Sequence, residues 1–273
     1  MSKLQVLVAT MGQTDLSLIE KMNIKCDAII ANQSDTDAIV VTDRVKMITT
    51  ATKGVGLNRN IAMLASDAEL LLFADDDVVY YDNMPQMVSN AFVQRPDADV
   101  IIFGMDITRN GVITEKRRVR NGRLWVWNSM RYGMVRIAIR RSALLRANIA
   151  FNQNFGGGCP FSAGEDSLFL KACFDAHLKV YGNSNVLCQC AKDTSTWFVG
   201  YNEKYFYDKG VLLRYLFPKI PGLYALYFGI CFKRETELNV FARLRYIFAG
   251  IRGGKTLLTY KDVYEKTEAH YRQ

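Results

Sequence analysis

The sequence predicts an α/β fold: a mainly parallel sheet flanked by helices, followed by an aromatic, basic helical extension at the C-terminal end. Three observations predict it. Short apolar runs rich in β-branched residues recur through the first hundred residues, as expected of strands buried on both faces. A segment of helical period lies between two of these runs. The last of them ends directly in three aspartates, where a strand of such a sheet meets the edge that binds ligands.

Leu4–Thr10 (LQVLVAT) is the first predicted strand, and Asp27–Ala31, Val45–Thr49 and Glu69–Phe73 follow. Between the last two, Asn58–Ala65 places Ile61, Leu64 and Ala65 on one helical face. Asp97–Gly104 (DADVIIFG) reads as a fifth strand and Met134–Ile139 as a sixth, and a helical pattern returns over Glu165–Ala176. Strand alternating with helix implies right-handed crossovers and ligand binding beyond the carboxyl ends of the strands. No linker or repeat interrupts the chain. Residues 201–273 are therefore expected to pack on a main domain of residues 1–200, which divides into halves at 108/109.

A chain of 273 residues and 31.0 kDa can bury one sizeable core, and 49% hydrophobic with 23% charged residues excludes a disordered, collagen-like or coiled-coil protein. No apolar run approaches the ~20 residues that span a bilayer, and the N-terminal apolar stretch is too short for a signal peptide. A cytoplasmic location is expected. Cys26, Cys159, Cys173, Cys188, Cys190 and Cys231 form no CxxC pair and read as reduced core thiols. The net charge of +8 is unevenly spread. Residues 1–108 hold 8 basic and 15 acidic groups, 109–146 hold 11 and 1, 147–200 hold 3 and 4, and 201–273 hold 13 and 7. An acidic first part with a basic middle and tail suits an enzyme that holds a metal and meets a phosphorylated or membrane-linked partner. No base-reading module is present, so nucleic acid is not an expected partner.

Leu70–Ala74 ends in Asp75-Asp76-Asp77. Clustered carboxylates repel unless a cation or water neutralises them, and Mg²⁺ or Mn²⁺ takes such oxygen ligands while leaving positions for substrate phosphates. Alternation puts Asp75 and Asp77 on one side and Asp76 on the other. A solvated acidic turn is the plain alternative. Upstream, Lys53-Gly54-Val55-Gly56-Leu57-Asn58-Arg59-Asn60 is a glycine-bearing loop entering a helix, with free N–H groups and with Lys53 and Arg59 as charges for a diphosphate. It lacks the third glycine of a dinucleotide fingerprint and the Gly-Lys-Ser/Thr of a P-loop. Downstream, Phe155-Gly156-Gly157-Gly158 begins a loop expected to be mobile, which leads through Gly164 into Glu165-Asp166 in the first turn of a helix. Those two acids complement the helix dipole in any case. Behind a loop and after a metal-type triplet, they are also placed to deprotonate an acceptor hydroxyl.

In order and combination, KGVGLNRN (Lys53–Asn60), FADDDVV (Phe73–Val79) and GEDSL (Gly164–Leu168) resemble the family 2 glycosyltransferases, inverting nucleotide-sugar enzymes of the Rossmann-like GT-A fold. The resemblance covers about residues 4–200. It implies a nucleotide-sugar-binding half (1–108) and an acceptor-binding half (109–200). It further implies Asp75 near the nucleotide, Asp77 with Asp75 on Mn²⁺ or Mg²⁺, Arg59 and Asn60 bordering the nucleotide, and Asp166 as catalytic base with Glu165 beside it. Thr10, Asn32, Lys53, Gly54 and Asp76 complete the expected donor set. Two departures stand out. Ala31-Asn32-Gln33-Ser34-Asp35 replaces the family's Asp-Asp-Gly-Ser stretch, so Asn32 or Gln33 would take over the base contact. The histidine after the last core strand and the Gln-x-x-Arg-Trp motif of processive members are missing, which points to single addition; His177 reads as structural.

The expected donor is a nucleotide-diphosphate sugar, a UDP-sugar first, and the expected acceptor a glycan or polyprenyl-linked hydroxyl, in surface polysaccharide synthesis. Trp197 and Gly164 are the expected acceptor contacts, with Trp125 and Trp127 as lesser stacking platforms. Ile220–Phe232 is apolar, flanked by Lys219 and Lys233-Arg234, and is a candidate for peripheral contact with the inner face of the membrane; a buried hairpin or dimer contact is the alternative. Two rival functions are a sugar nucleotidylyltransferase, whose basic glycine loop after the first strand is absent at Thr10–Thr14, and a non-catalytic carbohydrate-binding protein.

Overall fold

The computed structural model describes residues 3–191, 199–232 and 234–264. Its elements are β1 (Leu4–Met11), α1 (Leu18–Lys21), β2 (Asp27–Gln33), β3 (Ala38–Val41), β4 (Val45–Thr50), α2 (Val55–Ala65), β5 (Leu70–Asp75), β6 (Val78–Tyr80) and α3 (Met84–Gln94). Then come β7 (Val100–Arg109), β8 (Val112–Arg117), β9 (Gly122–Arg123), α4 (Val126–Ser129), a 3₁₀ turn (Met134–Arg136), β10 (Ile137–Arg140) and α5 (Arg141–Ala147). α6 (Glu165–Asp175), β11 (Val180–Ala191), α7 (Glu203–Leu216), α8 (Pro221–Cys231) and α9 (Val240–Gly253) complete the described chain.

One sheet runs in the order β3-β4-β2-β1-β5-β10-β7-β11-β6, with β8 beside β7 and β9 beside β11. β4, β2, β1 and β5 are mutually parallel, as are β7 and β11, while β10 runs antiparallel between β5 and β7. The central strands are apolar throughout because both faces are covered. Val6, Val8, Ile30 and Leu72 enter one core layer, and Leu7, Ile29, Leu71 and Phe73 the opposite one. The parallel strands all end at the same edge, and β5 delivers Asp75 there.

Several expectations are corrected. The helix over Asn58–Ala65 begins earlier, at Val55, and Leu64 is 78% exposed. Ile61 and Ala65 do pack on the core beside the buried Ala62, and the buried face also carries Asn58, Arg59 and Asn60, polar residues with work to do at the strand ends. The sixth strand starts at Ile137, after the 3₁₀ turn. β7 runs on to Arg109 and returns as β8 through Asn110-Gly111, both left-handed, the signature of a tight hairpin. Cys231 is exposed and Cys26, Cys159 and Cys190 are half-buried, so only Cys173 and Cys188 are core thiols; all six are free.

The loop at Gly156–Gly158 is not loose. Phe155 and Phe161 on either side of it bridge to each other and are buried against Tyr207, Val211 and Leu212 of α7. Asp208 of α7 accepts from both the backbone N–H and the hydroxyl of Ser162, and Gly157 accepts from Val55 N–H of α2. The helical extension thus braces the segment that leads into α6. α7 and α9 pack at backbone contact: a Cβ on Gly250 would lie 2.0 Å from the Tyr207 carbonyl oxygen, and one on Gly210 2.0 Å from that of Ile247. Gly250→Ala is therefore expected to lower stability by about 1–3 kcal/mol, as overpacking of a close contact does. Thermal denaturation checks this, against Ala225→Gly as a cavity-type control in α8.

Candidate active site

The site is built around the first turns of α2. Gly54 caps the helix with φ +108°, and a Cβ there would lie 2.9 Å from the Cys159 sulfur, so the close approach of the loop requires glycine. Three consecutive polar residues follow on the buried side. Asn58 donates to the carbonyls of Thr10 and Ala31, tying α2 to the ends of β1 and β2. Asn60 exchanges two hydrogen bonds with the backbone of Phe151. Arg59 reaches between them to the carboxylates.

Arg59 Nη2 lies 2.8 Å from Asp75 Oδ1, and its Nη1 lies 2.9 Å from Asp166 Oδ1 and 3.3 Å from Glu165 Oε1. Its side chain is 3% exposed, and the guanidinium sits over the Phe151 ring. Burial works against its charge, but Asp75, Asp166 and Glu165 outweigh that and hold it protonated above its ordinary range. One cation thereby joins the end of β5 to the first turn of α6. Asp75 of the aspartate cluster and the Gly164-led acidic pair therefore meet at one guanidinium.

Asp166 also accepts from the Met134 backbone N–H at 3.2 Å, in the 3₁₀ turn before β10. Burial, then Glu165 and Asp75, push its carboxyl above the usual carboxylate range, against the pull of Arg59 and the Met134 N–H. Glu165 is more committed: its second oxygen accepts from Gly164 N–H. At Gly164, φ is +122° and a Cβ would lie 2.5 Å from Leu212 of α7, so this glycine is an anchor for the extension.

The three aspartates splay apart, because the strand ends at Asp75 and the chain turns at Asp76-Asp77. Strict alternation does not survive the turn. Asp76 accepts from the Thr10 hydroxyl at 2.5 Å, and Asp77 from the Cys190 thiol at 3.2 Å. Burial and then Asp75 raise the Asp77 carboxyl above its ordinary value, with the thiol opposing. No group of three or more His, Cys, Asp or Glu among the described residues is arranged to hold a metal. Asp75 and Asp77 are hard oxygen donors of the kind that Mg²⁺ or Mn²⁺ takes when phosphate and water supply the other ligands.

No protein-family model matches the sequence, and no curated protein matches it. Among solved structures the chain is similar to S. aureus TarS 1-349 in complex with UDP-GlcNAc, with TM-score 0.56 and 15% identity over 95% of this chain and 77% of that one. Similarity to the same fragment in complex with UDP has TM-score 0.54 and 16% identity, covering 95% and 76%. The structure of S. aureus TarS without that truncation gives TM-score 0.54 and 14% identity over 95% of this chain and 44% of that one. The chain shares the fold of these structures, a GT-A-like, mostly parallel α/β sheet flanked by helices.

Within the GT-A-like sheet, the expected residues fall into two groups. Thr10, Arg59, Asp75, Asp76, Asp77, Glu165 and Asp166 converge at the strand ends. Lys53 is exposed at the rim and has no ion-pair partner among the described residues. The second group is structural. Asn32 is 0% exposed, accepting from Gln13 N–H and donating to the Gln13 carbonyl and Thr49 hydroxyl, so it holds the loop after β1 and has no atom left for a base. Gln33, which donates to the Gly54 carbonyl, is half-buried beside it. Asn60 and Gly164 serve packing, and Arg59 is spent on carboxylates. Trp197 lies outside the described residues. Trp125 and Trp127 are 64% and 72% exposed, and Trp127 stacks parallel to Phe217 at 6.4 Å. His177 ends α6 in a left-handed conformation. Sequence reasoning missed the Met134 N–H and Cys190, which carry no local motif.

Replacing Arg59 by Met leaves three carboxylates facing one another. Stability is expected to fall by about 3 kcal/mol at pH 7.5, as for removal of one partner of a buried ion pair. The loss should shrink toward pH 5, because unpaired carboxylates with raised folded-state pKa values take up protons and the repulsion disappears. Thermal melts of both proteins at the two pH values measure it; a pH-independent loss contradicts the electrostatic role.

Proposed function

We propose that the protein is an inverting glycosyltransferase, of hexosyltransferase type within family 2, that moves one sugar from a nucleoside-diphosphate sugar to a hydroxyl of a glycan or lipid-linked acceptor, as in surface polysaccharide synthesis. The observation that carries the proposal is the Arg59 bridge, which joins Asp75 at the end of β5 to Asp166, a carboxylate of raised pKa at the start of α6. The fold likeness to TarS structures with UDP and UDP-GlcNAc supports a UDP-sugar as donor.

In this mechanism Asp166 takes the proton of the acceptor hydroxyl while its oxygen attacks the anomeric carbon opposite the departing diphosphate. A single displacement inverts the configuration. Burial raises the Asp166 carboxyl to about 7, which makes it a better proton acceptor than an ordinary carboxylate and leaves about half of it ionised at neutral pH. Asp75 and Asp77 would hold Mg²⁺ or Mn²⁺, which when bound supplies charge stabilisation for the leaving diphosphate. Lys53, free at the rim, adds a positive charge beside the α2 N-terminus and the Gly54 backbone. Glu165 and the Met134 N–H orient Asp166 through Arg59 and the 3₁₀ turn.

Asp166→Asn is expected to reduce kcat by about 10²–10⁴ or more while leaving UDP affinity within twofold. Asp77→Ala is expected to weaken both UDP binding and turnover. In the wild type the rate should rise with pH through a value above the usual carboxylate range, since the base works only when deprotonated, and that limb should vanish in Asp166→Asn. Release of UDP from a panel of UDP-sugars, with and without chelator, is the measurement; full activity of Asp166→Asn refutes the assignment.

The acceptor side bears on location. No helix among the described residues is long and apolar enough to cross a membrane. α8 buries only Ala225 and Gly229, and exposes Leu223, Tyr227 and Ile230 between Lys219 and Arg234. An apolar face with basic flanks matches an anionic lipid surface and supports a peripheral location at the inner face of the membrane. The protein is expected to sediment with phosphatidylglycerol vesicles and not with phosphatidylcholine alone, and Leu223→Glu with Ile230→Glu should abolish this; a wild type that stays in the supernatant with both ends the idea.

A further inference from the structure

Arg136 lies in the 3₁₀ turn whose Met134 N–H holds Asp166. It is 4% exposed, yet no carboxylate pairs with it among the described residues. Its Nη1 donates to the Arg117 carbonyl oxygen at 3.2 Å. Its buried Nε has no acceptor, and Nη2 has none among the described residues. Nε and Nη2 form one edge of the guanidinium and present two parallel N–H groups, the fork that grips two oxygens of a phosphate or carboxylate. Its other contact is with the face of an aromatic ring, which carries no formal charge. The Tyr132 ring lies between Arg136 at 4.8 Å and Arg131 at 5.4 Å. Burial first, and the neighbouring Arg117 and Arg131, draw the Arg136 pKa down to about 10.

A buried guanidinium beside two others is unfavourable unless an anion completes it, and arginine stays protonated in neutral solution. Arg59, also buried, shows the paired alternative with three carboxylates. The position of Arg136 is also informative. The turn precedes β10, on the far side of β5 from β1, β2 and α2, where the donor would sit. The same turn carries the Met134 N–H that holds Asp166, so Arg136 sits two residues from the backbone group that grips the base.

We propose that the Nε–Nη2 edge of Arg136 binds an oxyanion of the phosphate class on the β10 side of Asp166, with Arg131 adding charge at its rim. The proposal rests on the transferase reading for its purpose: the anion belongs either to a phosphate-bearing acceptor, placed so that its hydroxyl meets Asp166, or to the diphosphate of the donor. The lone fork beside the base and away from α2 favours the acceptor.

The test uses the full chain, inorganic phosphate and UDP as probes, and thermal melts with calorimetry. Phosphate at millimolar concentration is expected to raise the Tm of the wild type and to leave that of Arg136→Met unchanged. Without phosphate, Arg136→Met should melt no lower than the wild type, since it removes an unpaired buried charge at similar volume. If phosphate still binds wild type saturated with UDP, and Arg136→Met binds UDP normally, the anion comes with the acceptor. If Arg136→Met instead loses tenfold or more in UDP affinity, it is the donor's diphosphate. Should the Met variant fail to fold, Arg136→Lys keeps the charge without the fork and is expected to lose at least tenfold in phosphate affinity. A wild type indifferent to phosphate whose UDP affinity is the same in the variant overturns the proposal, as does an equal phosphate effect in wild type and both variants. Wild type that binds phosphate at Arg136 but never UDP overturns the transferase reading and leaves the oxyanion site standing.

Discussion

One buried cation organises this molecule's candidate site. Arg59 is almost wholly removed from water and carries three ion pairs, to the end of the central strand β5 and to the first turn of α6. Burying a guanidinium is unfavourable without close, well-oriented partners. Its carboxylate partners in turn would repel one another without it. Each therefore requires the others, and the requirement holds residues far apart in sequence at one cleft.

That constraint explains the unusual face of α2. A helix flanking a sheet ordinarily buries an apolar stripe. Here Asn58, Arg59 and Asn60 are buried while Leu64 is exposed. Each polar side chain satisfies groups that have no partner in regular structure: strand-end carbonyls for Asn58, carboxylates for Arg59, and the backbone at Phe151 for Asn60. The same logic governs the helical extension. α7 packs on Phe155, Phe161 and Gly164 and receives Ser162 through Asp208, which fixes the entry of α6 and hence the position of Asp166.

The two cationic centres differ in a way that assigns them different work. Arg59 has its charge matched within the protein, and so supports structure and tunes Asp166. Arg136, a turn away from the same base, leaves its fork unmatched among the described residues. One guanidinium is charge-matched by carboxylates and the other is not among the described residues, so the first fixes the frame and the second is the proposed receptor for negative charge.

Much of the sheet was legible because its signals are local. Both-face burial makes Leu4–Thr10, Asp27–Ala31 and Val45–Thr49 apolar whatever lies beside them, and the carboxylates at Asp75–Asp77 and Glu165–Asp166 stand out by type and spacing. The exposed strand β3, short β6 and the interrupted β11 carry no such run, and their pairing depends on distant partners. The sequence alone determined the parallel α/β plan and the identity of the acidic residues, because strand and helix periodicity follow from side-chain burial within each segment. Only the tertiary structure decided that Asn32, Asn60 and Gly164 hold the frame, that Arg59 faces carboxylates, and that Arg136 lacks one. Arg59 meets residues 16, 106 and 107 positions away, and no local pattern records which charges a fold brings together.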